Sequence, residues 1–580
     1  MRHLFKNRLR VLFVFVLAFA LLLIVRLYFL QIVHGDEYAL RAEHQYVNTS
    51  QQLYDRGTIY FTRKDGTLIS AATLATGFLV AIDPAKVVDP EGTYAALAAL
   101  MPLDRDAFMK HASRTHDPYE EIADKVPEEV GRAIEALRLP GVSVIRERWR
   151  SYPASEKAAQ TIGFVAYDDS GEQQVGRYGL ERYYENTLNR EGVGLFGNFF
   201  AELFANIGNS VVDARDAREG DVVTSIEPVV EDKLDDLLRG VEAKYRSKET
   251  GGIIMDPKTG EIIALDVVPS FDPNDFQHAD SDTFGNHLVE RRYEFGSIVK
   301  ALTMAMGIDS GAVTPATTYD DTGCITVNEK RICNYDLRAR GVIPMQQILS
   351  QSLNVGASFV ADRVGHAQQR AYLEKLGMDT ETGIDLPSEI RGTIANLADR
   401  NVNYDTASFG QGIAQTPVEM IRALGALAND GAVVTPHLAT AIRLDSGIVR
   451  PLSWGEPEQV FKPSSTATVS GMLTVVVDTM LMNGKAKIPE MTVAAKTGTA
   501  QIASPEGGYY PDRYFHSFFG YFPSYDPRFI ILLYTREPQG VQYASETLTS
   551  SFLDLVHFLT NYYAVPPDRA EIPTTPETHS

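Results

Sequence analysis

The chain has 580 residues, 44% hydrophobic and 22% charged, with a formal net charge of −21. That length leads one to expect two to four domains with the apolar content of a globular protein. So acidic a chain is a poor partner for nucleic acid or an anionic lipid surface, and its two cysteines are too few for a disulfide scaffold. No Cys-x-x-Cys or His-Glu-x-x-His marks a metal site, and Gly484-Lys485 is followed by Ala486, which excludes a phosphate-binding loop of the Walker type.

At the start, Arg2, Lys6, Arg8 and Arg10 precede the uncharged run Val11 to Val25; Arg26 interrupts it and Leu27 to Val33 resumes. As a helix, Val11 to Val33 would be about 35 Å long, enough to span a bilayer. The basic cluster predicts a cytoplasmic N-terminus, with Arg26 snorkelling outward at the far end. A cleaved signal peptide is the competing reading, against which stand the length of the apolar run and the lack of a small-x-small site after it. Residues 1–36 are thus expected to form a cytoplasmic stub and a single transmembrane anchor in a plasma membrane, with the body extracytoplasmic.

Residues 37–216 have mixed character. Strand-like Phe78 to Ile82 and helix-like Val130 to Leu137 are punctuated by Asp83-Pro84 and Leu139-Pro140-Gly141. Gly192 to Phe204 is rich in glycine and phenylalanine and reads as a loop. No catalytic constellation stands here, and no Glu-Asp-x-x-x-Phe signature of a glycosyltransferase. From about residue 217 the pattern sharpens. Val222 to Ile226 reads as a strand and Val229 to Val241 as an amphipathic helix. Gly252 to Asp256 and Glu261 to Leu265 read as strands around a Pro257-Lys258-Thr259-Gly260 turn. Helical segments follow, Met345 to Val364 and Pro417 to Asn429 among them, and strands return at Phe518 to Phe522 and Phe529 to Thr535. Strands at both ends of a helical middle predict an α+β domain over 217–565, an antiparallel sheet with an inserted helical subdomain. The polar, proline-rich stretch 566–580 reads as a disordered tail. Cys324 and Cys333 bracket two short strands around a polar turn; outside the cytoplasm a disulfide would cross that hairpin, and two free thiols remain the alternative.

Ser297-Ile298-Val299-Lys300 is the one Ser-x-x-Lys of the chain, followed in order by Ser352-Leu353-Asn354 and Lys496-Thr497-Gly498-Thr499. Each alone is ordinary: a solvated helix face, a cap, a turn. Together they describe acyl transfer with lysine as the base. If Ser297 opens a helix, Lys300 lies one turn on, its amine near the hydroxyl. Burial and a second cation, Lys496, would hold that amine neutral. Ser352 would bridge the lysines and relay the proton, and Asn354 would clamp the substrate backbone. Lys496 to Thr499 reads as an edge strand to which an extended peptide can add. Gly498 would let substrate approach closely. The Ser297 and Thr499 N–H groups would form the oxyanion hole.

This ordered trio is the signature of penicillin-binding proteins and class A β-lactamases, and the chain resembles a class B penicillin-binding protein over nearly its whole length. Asp55-Arg56-Gly57-Thr58-Ile59-Tyr60, and Gly176 to Glu181 with Tyr183 to Leu188, resemble the motifs of that family's pedestal, or dimerisation-type, domain, here 37–216. Ser270-Phe271-Asp272-Pro273-Asn274, Thr382 to Pro387, Phe409-Gly410-Gln411-Gly412 and His516 to Pro523 resemble segments of its transpeptidase domain. Phe295 replaces the family's usual proline before Gly296-Ser297, which predicts a less rigid entry to the nucleophile helix. Tyr521 to Arg528 and Tyr562 to Pro567 look more like the division-type, septal members than the elongation-type ones.

The resemblance implies a peptidoglycan D,D-transpeptidase without cofactor or metal. Its partners would be stem peptides and their lipid-linked precursor, β-lactams as pseudo-substrates, a membrane glycosyltransferase, and division or elongation proteins. Lys496, Thr497 and Thr499 would grip the terminal carboxylate. Two other readings compete. A D,D-carboxypeptidase or β-lactamase would use the same trio with water as acceptor, but the long pedestal and anchor argue against it. A non-enzymatic scaffold or antibiotic sensor is opposed by the intact trio and by the short segment before the membrane span.

Overall fold

The computed structural model describes residues 55–171, 173–190, 219–397, 400–444 and 446–569. The expected anchor Val11 to Val33, the Gly192 to Phe204 loop and the tail beyond Arg569 lie outside the described residues. Among the described residues no helix is long and apolar enough to cross a membrane.

The chain divides into two compact units. The described part of the smaller is essentially Leu74–Trp149. There the strand Leu68–Ile82 pairs, from Gly77 on, antiparallel with Glu120–Pro127. The helix Glu128–Leu137 starts at once after it, with Glu128 and Glu129 in the first turn, where the helix dipole favours negative charge. Its Gly131 lies against the Phe78 ring, which a Cβ would meet at 2.3 Å. Phe78, Val80, Leu97, Phe108, Val126 and Ile134 make a core of their own.

Among the described residues the larger unit comprises 56–73, 150–190 and those from 219 on, so two stretches of the expected pedestal belong to it by their contacts. Those stretches carry the two pedestal motifs, which form one buried cluster. Glu181 accepts from Arg56 and from Arg150, both at 2.6 Å, and Arg150 also donates to Gly57 O at 2.7 Å. Ions this deep persist only when paired and hydrogen-bonded. Gly57 is required because a Cβ would fall 2.1 Å from Gly220 O. Tyr184 of the second motif donates to buried Asp385 at 2.8 Å, and Asp385 also accepts from Leu438 N and Ala439 N. Three stretches noted in the sequence thus act as one staple.

The elements that carry the site are α1 (Pro228–Tyr245), β1 (Glu249–Met255), β2 (Ile262–Val268), α2 (Val299–Asp309), α3 (Gln346–Ser350), α4 (Asn354–Val364), α5 (Pro463–Thr479), β3 (Ala494–Ala503), β4 (Tyr509–Phe522), β5 (Phe529–Arg536) and α6 (Thr549–Tyr562). The strands form one antiparallel sheet in the order β3-β4-β5-β1-β2, with Lys496 opposite Phe519 and Leu532 opposite Ile253. On one face Phe518 stacks on Phe552 of α6, ring centroids 4.5 Å apart. On the other, the Tyr521 hydroxyl meets Ser470 of α5 at 2.7 Å. With both faces covered, β4 from Phe515 and β5 are buried without alternation, which is why they read as continuous apolar runs. α1 starts sharply: Pro228 opens it and the Glu227 carboxylate accepts from Val229 N and Val230 N at 2.7 and 2.8 Å.

Two expectations need correcting. Met345 to Val364 is not one helical run: α3 ends at Ser350, α4 begins at Asn354, and Ser352 sits between them with φ 55°. The tail read as disordered from Pro566 is held as far as Arg569. Asp568 accepts from Thr492 N at 2.6 Å, and Arg569 makes a two-pronged ion pair with Asp478 at 2.6 and 2.9 Å. Polar composition alone could not foresee partners that far away in sequence.

Candidate active site

Ser297 stands in a 3-10 turn, Gly296–Ile298, that runs directly into α2. The turn is fixed from behind. Gly296 has φ +64°, in the region that favours glycine, and a Cβ there would meet Thr499 O at 3.0 Å. Its N–H donates to Gly410 O at 3.2 Å, and Gly410, with φ +78°, is just as tightly placed: a Cβ would fall 2.3 Å from Gly296 O. Phe409-Gly410-Gln411-Gly412 is therefore the backing of the Ser297 turn. Phe295 does not loosen the entry, as its departure from proline had implied. It is fully buried, edge-on to Phe515 with centroids 5.3 Å apart, and its carbonyl accepts from Ser517 Oγ at 2.8 Å. Packing supplies the rigidity that a pyrrolidine ring would.

A second support lies under Tyr293, whose hydroxyl donates to Glu249 at 2.6 Å, as does that of Tyr534 at 2.7 Å. Burial pushes the Glu249 carboxyl up, but bonds from His287, Tyr293 and Tyr534 outweigh it and hold the group down at about 2. His516, next to Ser517, is buried and pushed down to about 4, so it stands neutral; its ring nitrogens lie against Thr547 Oγ1 and Gln542 O.

The structure brings Lys300, Ser352, Asn354 and Lys496 together. Lys300 Nζ donates to Ser352 O and Asn354 Oδ1, both at 2.7 Å, and lies 3.2 Å from Ser352 Oγ. Lys496 Nζ lies 3.1 Å from the same Oγ and 3.0 Å from Thr497 O. Ser352 thus touches both lysines, and the break between α3 and α4 is what aims it there. No bond joins Ser297 Oγ to Lys300 among the described residues. Asn354 is more committed than a free substrate clamp would be: Oδ1 serves Lys300 and Nδ2 donates to Cys333 O at 2.9 Å, which leaves one N–H for a substrate. Cys324 and Cys333 are directly opposed on their hairpin and disulfide-bonded, so of the two states left open the bridged one is found.

Both lysines are buried. Burial drives Lys300 well below the ordinary lysine value, and the Lys496 charge pushes the same way. Burial alone lowers Lys496 to about 7. A neutral Lys300 has two N–H bonds, matched by Ser352 O and Asn354 Oδ1, and one lone pair left for a hydroxyl proton.

β3 is the edge strand of the sheet, and Thr497, Thr499 and Gln501, alternate residues on it, line one pocket of about 750 Å³ with Ser297, Ser352 and Lys496. Gly498 also has a packing role within the chain. A Cβ on it would meet Ser517 Oγ at 2.3 Å, Phe295 O at 2.5 Å and Ile298 Cγ2 at 3.1 Å, so the glycine lets the Ser297 turn press on β3. Thr499 Oγ1 accepts from Ala544 N at 3.0 Å, tying in the segment that follows β5. That segment brings Tyr543 to the pocket, where its ring meets Tyr335 edge-on at 6.0 Å. Sequence reasoning missed both tyrosines, since neither carries a local signal and only the fold brings them to Ser297. Among the described residues no group of three His, Cys, Asp or Glu side chains is placed to hold a metal ion.

A split chain with a buried-lysine serine site on the edge of a five-stranded antiparallel sheet is the plan of the class B penicillin-binding proteins. The family comparison agrees: the penicillin-binding protein transpeptidase domain matches residues 250–556 and the penicillin-binding protein dimerisation domain residues 54–192. The chain belongs to this family. It is 27% identical over 546 residues to stage V sporulation protein D of Bacillus subtilis (strain 168), covering 92% of this chain and 82% of the relative. To the probable peptidoglycan D,D-transpeptidase FtsI of Caulobacter vibrioides (strain NA1000 / CB15N) it is 28% identical over 472 residues, 79% of this chain and 72% of the relative. In fold it is similar to penicillin-binding protein 2X from Streptococcus thermophilus, with a TM-score of 0.71 at 18% identity over 88% of this chain and 80% of that one.

Proposed function

We propose that the chain is a peptidoglycan D,D-transpeptidase that works through a Ser297 acyl-enzyme and is a target of β-lactams. The observation that carries this is the Lys300–Ser352–Lys496 bridge beside Ser297 on an edge strand. Ser297 Oγ attacks the carbonyl of the penultimate D-Ala of a stem peptide and gives its proton to the lone pair of Lys300. The C–N bond breaks, Ser352 passes a proton to the departing amine, and terminal D-Ala leaves. An amine of a second stem then attacks the ester, its proton returns by the same route, and Ser297 is restored. The oxyanion is met by the N–H groups of Ser297 and Thr499, and Lys496, Thr497 and Thr499 take the terminal carboxylate of the donor.

Relatives named FtsI support the division-type, septal reading over the elongation-type one. By the same resemblance a membrane glycosyltransferase supplies the glycan strands and the pedestal docks division proteins. The N-terminal span anchors the body outside the plasma membrane. The test is incubation of the full chain with uncross-linked nascent peptidoglycan, counting released D-Ala against cross-linked dimers. One dimer per D-Ala is expected; D-Ala without dimers would make the enzyme a carboxypeptidase and refute the reading.

A further inference from the structure

The carboxyl of Asp405 has no part in the chemistry described so far. It is 1% exposed, in the last turn of the helix Asn401–Ala407, and among the described residues neither of its oxygens has a hydrogen-bond partner. A negative charge there is disfavoured on two counts: it is cut off from water, and it meets the negative end of its own helix dipole. Its neighbours do not offset it. From α4, Ser358 is fully buried and lacks a partner as well, and Asp362, one turn on, is exposed and carries a like charge. From the helix His366–Lys375, the His366 ring stacks on Tyr404 at 4.2 Å, and Arg370 donates to Glu374 at 2.8 Å and to Leu397 O at 2.9 Å. From α2, Lys300 is bound to Ser352 and Asn354. Burial, and then the Asp362 charge, push the Asp405 carboxyl up to about 7 against the pull of Ser358.

Its place in the chain gives that carboxyl leverage on the site. The helix Asn401–Ala407 runs directly into Ser408-Phe409-Gly410. Ser408 O accepts from Thr303 Oγ1 at 2.7 Å, and Thr303 stands one turn along α2 from Lys300. Gly410 O accepts from Gly296 N at 3.2 Å, behind Ser297. We propose that Asp405 is a positioning residue that works as the neutral acid. Protonated, it lets its helix pack inward and hold Ser408 and Gly410 against Thr303 and Gly296. Ionised, with its proton lost to water, it draws the helix toward solvent and slackens the seat of Ser297, because an unpaired buried charge is relieved by movement toward water. The inference rests on the Ser297 acylation of the reading above.

The test compares the full chain with Asp405→Asn, which keeps the shape and fixes the neutral state, by penicillin acylation kinetics across pH. The readout is the rate of the variant divided by that of the wild type, a ratio in which the titrations of Lys300 and Lys496 cancel. It is expected to stay near one below about pH 6 and to climb to at least about tenfold above about pH 8, since small displacements of a reacting group carry losses of that order. On an Asp362→Asn background, where the like charge is gone, the climb should begin at lower pH. Denaturant titrations give a second reading. The unfolded chain releases this proton near 3.9, so the stability advantage of Asp405→Asn should open as pH rises from about 4 to about 7 and then hold. A level ratio, a variant slower than the wild type at every pH, or a stability gap that does not open in that window would overturn the proposal. No acylation of the wild type at any pH would overturn the Ser297 reading and with it the positioning role, while the stability gap would still read the titration of Asp405 separately.

Discussion

Gly498→Ala separates two roles for one glycine. If the position only admits substrate, a methyl group would weaken peptide binding and leave the protein otherwise as it was. The structure predicts more. The new Cβ would sit 2.3 Å from Ser517 Oγ, which can rotate away, but 2.5 Å from the backbone carbonyl of Phe295, which cannot, and 3.1 Å from Ile298. Relief must come from moving the turn that carries Ser297. Over-packing of this kind costs about 1–3 kcal/mol, and displacing a reacting group by about 1 Å costs on the order of 10²-fold in rate. The expected outcome is a Tm lower by several degrees, with penicillin acylation slowed about a hundredfold for every β-lactam tried, the smallest included. Thermal unfolding and stopped-flow acylation check this. Unchanged Tm with normal acylation by small β-lactams would refute the packing argument and return Gly498 to the substrate.

Three further outcomes are expected. Acylation should fall as pH drops, because Lys300 then takes up a proton, and Lys300→Met should lose at least about 10²–10⁴-fold in rate where Lys300 is neutral, the loss shrinking as pH drops; a pH-independent wild-type rate would contradict this. Because Lys300 is depressed in the folded protein, the unfolded chain binds more protons between that depressed value and the ordinary lysine value of about 10.4. The stability cost of burying Lys300 should therefore shrink as pH rises through that window, and denaturant titrations of wild type against Lys300→Met should converge accordingly. Replacing Cys324 and Cys333 together by Ser should cost about 2–3 kcal/mol for so short a loop, and should slow acylation several-fold by loosening the Cys333 carbonyl that orients Asn354; calorimetry and acylation kinetics check the two parts.

Much of the chemistry was legible because it is written in short local patterns. Ser297 and Lys300 are one turn apart on any helix, and Lys496 to Thr499 follow a short apolar run and read as a strand. The buried strands were legible too, since Phe518 to Phe522 and Phe529 to Tyr534 are covered on both faces and are apolar or aromatic with one glycine. The break at Ser352 was not, because Gln351 to Leu353 are compatible with a helix and only the demand of two lysines for one hydroxyl explains it. Nor were the close approaches among Gly296, Gly410 and Gly498 and their neighbours, whose partners lie tens to hundreds of residues away. The same holds for Tyr335 and Tyr543, and for Phe295, whose loss of a proline looked like a defect until its buried neighbours were seen.

The central claim is that Ser297 is made nucleophilic by a buried, neutral lysine and holds the acyl group. An intact-mass time course of the chain with penicillin, beside Ser297→Ala, tests it most directly. The account predicts a single long-lived adduct in the wild type, carried on Ser297, and none in the variant. An adduct that survives Ser297→Ala, or rapid turnover with no adduct in the wild type, would contradict it.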